Sequence, residues 1–167
     1  MKILVATDGS ASSRLAVKLA CREALAHNAE LTIFHAIGCD EMVAVPEGGK
    51  GIIPPMNFPL GAPANLDIER MRFEASKERV KDAEEAIHDA KKVSDEMGVK
   101  AKTKIFRADP SKYCYDAKQL IVKFAEENDY DMIVMGSRGR TGISRILLGS
   151  ISEYVIKHSH CPVLISK

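Results

Sequence analysis

The chain has 167 residues, 46% of them hydrophobic and 28% charged, with a formal net charge of +1. That is ordinary for a globular protein, and the length fits one domain able to bury roughly 70% of its unfolded surface. The near-neutral balance, 5% aromatic content and lack of Trp give no footing for nucleic acid or an anionic membrane surface, and no apolar run approaches a bilayer span. Met1-Lys2-Ile3-Leu4-Val5 enters a strand pattern directly, without signal-peptide anatomy, so a cytoplasmic location is expected. Cys21, Cys39, Cys114 and Cys161 are scattered, with no C-x-x-C pair, and suggest neither a zinc site nor a disulfide framework.

Residues 2–6 (Lys-Ile-Leu-Val-Ala) form a continuous apolar run, the pattern of a strand buried on both faces. Thr7-Asp8-Gly9-Ser10 supplies turn and cap chemistry. A helical pattern follows, with Leu15, Ala16, Leu19, Ala20 and Ala24 on its apolar side, and residues 31–36 are a second strand. This is a β-α-β unit, whose strands should be parallel and whose crossover should be right-handed. Asp8 stands just past the C-terminal end of the first strand, where open α/β sheets bind ligands. Its carboxylate there either accepts hydrogen bonds from a ligand's hydroxyls or amines, or makes an Asx turn that caps the first helix.

Between residues 38 and 65 the periodicity dissolves among five prolines and five glycines. This Pro/Gly-rich insertion is too long for a simple connection. A ligand lid, an oligomer contact and a tolerated insertion are all open readings. Residues 66–97 read as one long helix stopped by Gly98, with Val80, Ala83, Ala86, Ile87, Ala90, Val93 and Met97 at helical spacing. At 1.5 Å per residue it would span about 45 Å, and an irregular or projecting start is expected. Val99, Ala101, Thr103 and Ile105 alternate with Lys100, Lys102 and Lys104, a half-exposed strand whose lysines guard a sheet edge. A further insertion over 111–116 precedes a helix carrying Leu120, Ile121, Phe124 and Ala125; its two tyrosines suit either a protein contact or a ligand cover.

The most informative stretch is 135–152. The apolar run Met132-Ile133-Val134-Met135 leads into Gly136, then Gly139, then Gly149-Ser150 and a helix from about Ser150 to His158. Glycine lets a loop turn sharply and bring its N–H groups close to a ligand. The first N–H groups of a helix are unpaired and lie at the positive end of its dipole, so a loop ending there suits phosphate. Ser150 and Ser152 could add hydroxyl donors. Alternatively, Ser150-Ile151-Ser152-Glu153 is a capping box in which Ser150 caps its own helix. Residues 162–166 form a final apolar strand. His158 and His160 lack the partners of a metal set.

The spacing Gly136-x2-Gly139-x9-Gly149-Ser150, with its flanks Asp131-Met132-Ile133-Val134-Met135 and Pro162-Val163-Leu164-Ile165, resembles the signature of the ATP-binding branch of the universal stress protein family. The chain departs from that pattern at Ala108, where relatives usually carry glycine, and in the two insertions.

The element order alone gives a doubly wound parallel sheet. The resemblance implies five strands in the order 3-2-1-4-5 within a single domain, a Rossmann-like fold akin to the adenine nucleotide alpha hydrolases. It implies adenine against Ala6, Ala36 and Met135, with Asp8 and Gly136 on the ribose side and Thr7 beside Asp8. Arg138, Gly139, Gly149, Ser150, Ile151 and Ser152 would surround the triphosphate. ATP, or else ADP or AMP, is the implied ligand, with Mg²⁺ or Mn²⁺ carried on its phosphates. A homodimer through strand 162–166 and an unidentified protein partner are also implied. No P-loop or kinase loop appears, so a nucleotide-responsive regulatory module is expected. A slow Mg-dependent ATP hydrolase or autophosphorylating protein is the second reading, and a structural dimer without nucleotide the third.

Overall fold

The computed structural model of the chain describes residues 1–38, 67–108, 115–139 and 148–167, with side chains from residue 77 onward in the second block. The elements are β1 (Lys2–Ala6), α1 (Ala11–His27), β2 (Glu30–Ile37), α2 (Asp67–Glu96), β3 (Lys102–Arg107), α3 (Ala117–Glu127), β4 (Met132–Gly136), α4 (Ser150–His158) and β5 (Val163–Ser166). All strand pairs are parallel, in the order β3-β2-β1-β4-β5. The central pair is β1 and β4, with Ala6 opposite Met135 at its C-terminal end.

Strand alternation divides the core between two faces. Ile3 and Val5 of β1, with Ile33 and Val134, meet Ala16, Val17, Ala20 and Cys21 of α1 and Ile87 and Ala90 of α2. Leu4 and Ala6, with Phe34 and Ile133, meet Ile121 and Ala125 of α3 and Val155 of α4. Phe34 stacks on Phe124 with ring centroids 4.5 Å apart, and Tyr130 joins them. The apolar side of α1 differs from the expected one. Its buried stripe is Ser13, Ala16, Val17, Ala20, Cys21 and Ala24, while Leu15 and Leu25 face outward. Small residues on the inner side let this helix lie close to the sheet.

Caps fix where the helices begin and end. Ser10 caps α1 by accepting from the Ser13 amide at 3.2 Å, and Asn28 ends it in the left-handed conformation. Asp116 and Gln119 form a reciprocal capping box at the start of α3. Gly98, at φ +74°, ends α2, whose helical geometry runs regularly from Asp67. The β3 strand starts later than the alternation suggests. Val99 and Ala101 precede it yet are buried in the core cluster with Leu31, Ile33, Ile87 and Ala90, while Thr103 on the strand itself is exposed. Apart from Gly38, the insertion at 38–65 lies outside the described residues, as do residues 109–114. Tyr115 is described: its hydroxyl accepts from Lys123 Nζ at 3.3 Å, and that ammonium lies 4.6 Å from its ring centroid.

Cys21 sits wholly inside the α1 face, and burial pushes its thiol up to about 11. At pH 8 the thiol should outnumber the thiolate about a thousandfold, and it is the thiolate that reacts. Cys21 is therefore expected to resist iodoacetamide in the native protein and to react fully once the chain is unfolded in guanidinium. Peptide mass spectrometry reads the difference; native labelling at the rate of a free thiol would contradict the packing.

Candidate functional site

The β1–β4 pair opens a crevice, since the elements following these strands leave on opposite faces of the sheet. A cavity of about 190 Å³ occupies it. Its lining includes Ala6, Thr7 and Asp8 after β1, Ala36 on β2, and Met135, Gly136, Arg138 and Gly139 at the end of β4. Gly149, Ser150, Ile151 and Ser152 at the start of α4 complete this set, so the structure gathers all twelve of the singled-out residues around one space. Arg140 and Arg145 lie outside the described residues.

Asp8 makes the Asx turn and also lines the crevice. Its Oδ1 accepts from the Ser10 amide at 3.0 Å, which is the Asx turn leading into α1. Its Oδ2 points toward the loop after β4, where a Cβ on Gly139 would stand 2.9 Å away. Thr7 is held more tightly. Its amide donates to the Phe34 carbonyl at 2.9 Å, and its hydroxyl donates to Ser13 Oγ at 3.1 Å. These bonds fix the corner between β1 and α1 without a ligand.

Neither loop glycine has an unusual backbone; Gly136 needs its small size, and Gly139 keeps clear of the Asp8 carboxylate. Left-handed glycines among the described residues are Gly9 and Gly98, not Gly136 or Gly139. A Cβ on Gly136 would fall 2.4 Å from Ser12 Oγ and 2.9 Å from both Ser12 C and Ser13 N. The first turn of α1 thus rests directly on the end of β4. Close approach replaces the left-handed turn as the reason for glycine at these positions.

At α4 the capping-box reading is overturned. Gly149 is the N-cap and has no side-chain cap bond, so Ser150 is the first helical residue and its side chain is exposed. Glu153 instead pairs with Lys157 one turn on, at 2.6 Å, and this lysine holds its carboxyl below the usual carboxylate range. The first helical bond of α4 runs from the Glu153 amide to the Gly149 carbonyl at 2.9 Å. Helix geometry therefore leaves the amides of Ser150, Ile151 and Ser152 without intrahelical acceptors, at the positive end of the dipole.

Ser152 also departs from expectation. Its buried hydroxyl donates to protein, within reach of the Ser137 carbonyl at 3.1 Å and the Gly149 carbonyl at 2.9 Å. The Ser137 carbonyl also accepts from the Gly149 amide at 2.8 Å. These bonds clamp the two ends of the glycine loop together. The hydroxyl is a structural tie, which leaves Ser152 only its amide to offer a ligand.

Five lining residues were not anticipated: Ser13, Phe34, His35, Ala117 and Ile121. Ala117 and Ile121 stand at i and i+4 on α3, a spacing that by itself signals ordinary core. Phe34 and His35 lie two and one positions before Ala36, on a strand expected to contribute only backbone. Only the folding of α3 over the end of β2 brings them to the cavity.

In chemical terms the site offers apolar walls at Ala6, Phe34, Ala36, Met135 and Ile121, one carboxylate, one guanidinium, and the amides of a helix N-terminus. That combination suits a flat apolar group joined to a polar, anionic tail. Among the described residues no three His, Cys, Asp or Glu side chains converge as a metal set.

Comparison with known proteins agrees with this architecture. The sequence model of the universal stress protein family matches residues 1–167. The chain is 35% identical over 166 residues to universal stress protein MJ0531 of Methanocaldococcus jannaschii, covering 99% of this chain and 81% of that protein. The solved structure of MJ0577 superposes with a TM-score of 0.73 at 28% identity, covering 99% of this chain and 94% of that one. The universal stress protein of Archaeoglobus fulgidus, solved in complex with dAMP, has the same fold at a TM-score of 0.59 and 22% identity, over 100% and 98% of the two chains. With its 3-2-1-4-5 sheet and a family match spanning all 167 residues, the chain belongs to the universal stress protein family.

Proposed function

We propose that the β1–β4 crevice binds an adenine nucleotide, ATP in the first instance, and that the protein is a nucleotide-responsive dimeric regulator in the cytoplasm. The observation that carries this reading is the meeting of Asp8, the Gly136–Gly139 loop and the N-terminus of α4 at one cavity. The apolar walls suit the base and the Asp8 carboxylate suits ribose hydroxyls. The amides of Ser150, Ile151 and Ser152, with the Arg138 side chain, suit phosphates. The dAMP-bound relative from Archaeoglobus fulgidus supports a nucleotide as the class of ligand. Mg²⁺ or Mn²⁺ would arrive on the phosphate oxygens and offset their charge.

The residues present favour binding over turnover. Glu153 is engaged by Lys157, so it is not poised to activate water at the phosphates. Calorimetric titration of nucleotide-free protein with ATP and Mg²⁺ tests the reading. Micromolar affinity, about −8.2 kcal/mol, is expected; no heat up to millimolar ATP would overturn it. Sizing with and without ATP tests the dimer, and phosphate release tests hydrolysis.

Asp8→Ala should weaken ATP binding about tenfold, the loss of one charge-assisted hydrogen bond. Asp8→Asn keeps an acceptor for the Ser10 amide and for a hydroxyl, and should lose less. Equal losses in the two variants would mean that the charge, not hydrogen bonding, is what the ligand reads.

A further inference from the structure

The peptide of Ser137 joins the nucleotide site to an edge of the sheet. On its carbonyl side it accepts from the Gly149 amide at 2.8 Å and lies 3.1 Å from Ser152 Oγ, both at the start of α4. Its amide donates to the Ser166 carbonyl, at the end of β5, at 2.7 Å. Ser137 and Ser152 are both buried, so water does not readily substitute for these bonds. Ser166 is also within 3.5 Å of Ser12 Oγ, on the turn of α1 that rests on Gly136. The other edge strand, β3, pairs only with β2, and its ends carry no such bond to the glycine loop among the described residues.

We infer that Ser152 is a positioning residue that couples occupancy of the nucleotide site to the order of edge strand β5 through the Ser137 peptide. The inference rests on the reading of the crevice as a nucleotide site and adds what that site regulates. A ligand bound to the α4 amides restrains residues 149–152. The Ser152 hydroxyl and Gly149 amide then hold the Ser137 carbonyl, and the same rigid peptide holds the carbonyl of Ser166. Nucleotide therefore tightens β5 more than it tightens the sheet as a whole.

Amide exchange by mass spectrometry, with and without saturating ATP and Mg²⁺, separates this from general stabilisation. Ligand binding slows exchange through global unfolding everywhere, so peptides over β3 serve as the internal reference. The expected result is protection of residues 163–166 exceeding that of 102–107 by at least about fivefold, the low end of ordinary coupling between sites. Ser152→Ala, measured at its own ATP saturation, should bring the two edges to equal protection, and Ser152→Thr, which retains a hydroxyl, should preserve the excess. Equal protection of both edges in the unmodified protein would overturn the coupling. An excess that persists in Ser152→Ala would overturn the role of the hydroxyl. Calorimetry on the same samples keeps the two ideas apart: ATP binding without β5 protection removes only the coupling, whereas no ATP binding removes the nucleotide reading and the coupling with it.

Discussion

Gly139→Val is expected to reduce ATP affinity by about thirtyfold or more while leaving the fold intact. Gly139 is exposed on the loop after β4, and its φ is not left-handed, so a side chain imposes no backbone strain. The conflict is local. A Cβ at this position stands 2.9 Å from Asp8 Oδ2. That oxygen is the far end of a side chain and can swing away, but only by disturbing the carboxylate whose Oδ1 holds the Ser10 amide. The valine branches would then occupy the space between Asp8 and the α4 amides. Loss of a hydrogen bond to a charged group costs about 1.5–3 kcal/mol, and thirtyfold corresponds to about 2 kcal/mol. Stability should change by less than about 1 kcal/mol, as for other exposed substitutions. Calorimetry and a thermal melt on the same preparation make the measurement. Wild-type affinity in the variant would mean that the ligand does not pass between Gly139 and Asp8, and a collapse of the melting temperature would mean that the glycine serves folding first.

The sheet was legible because each strand is a short apolar run bounded by turn chemistry, and the order of elements leaves few alternatives for a doubly wound fold. Strand order was not: no local pattern says that β1 pairs with β4, and it followed only from the resemblance. The glycine spacing pointed to this loop through both turning freedom and small size; only the small size is used, because contacts 120 or more residues away in sequence, with Ser12 and Asp8, set the limit. The S-x-x-E pattern at Ser150 was a false positive. A capping box needs its serine one residue before the helix, and here Gly149 takes that place while Lys157 offers Glu153 a nearer partner. His35 and Ile121 were invisible for a different reason. A strand histidine and a helix isoleucine carry no sign of which cavity they will line until the elements pack.

Gly136→Ala should be the most damaging single-methyl change in the molecule's centre, destabilising it by about 3 kcal/mol. Added volume in a packed core costs about 1–3 kcal/mol when neighbours can adjust. Here two of the three atoms within 2.9 Å of the new Cβ are backbone, Ser12 C and Ser13 N. They belong to the first turn of α1, which Ser10 caps and which Thr7 and Asp8 tie to β1. Relief therefore requires moving the helix or the end of β4, not turning a rotamer. Replacing glycine also stiffens the unfolded chain, which favours folding by about 0.4–1 kcal/mol, too little to reverse the sign. Against a total stability of about 5–15 kcal/mol the net loss is large. Urea unfolding should show a lower midpoint with an unchanged slope. A midpoint equal to wild type would mean that α1 and β4 can separate by several tenths of an ångström at no cost. The tight seat of α1 on Gly136, which sets the distance from Asp8 to the glycine loop, would then not be what shapes the crevice.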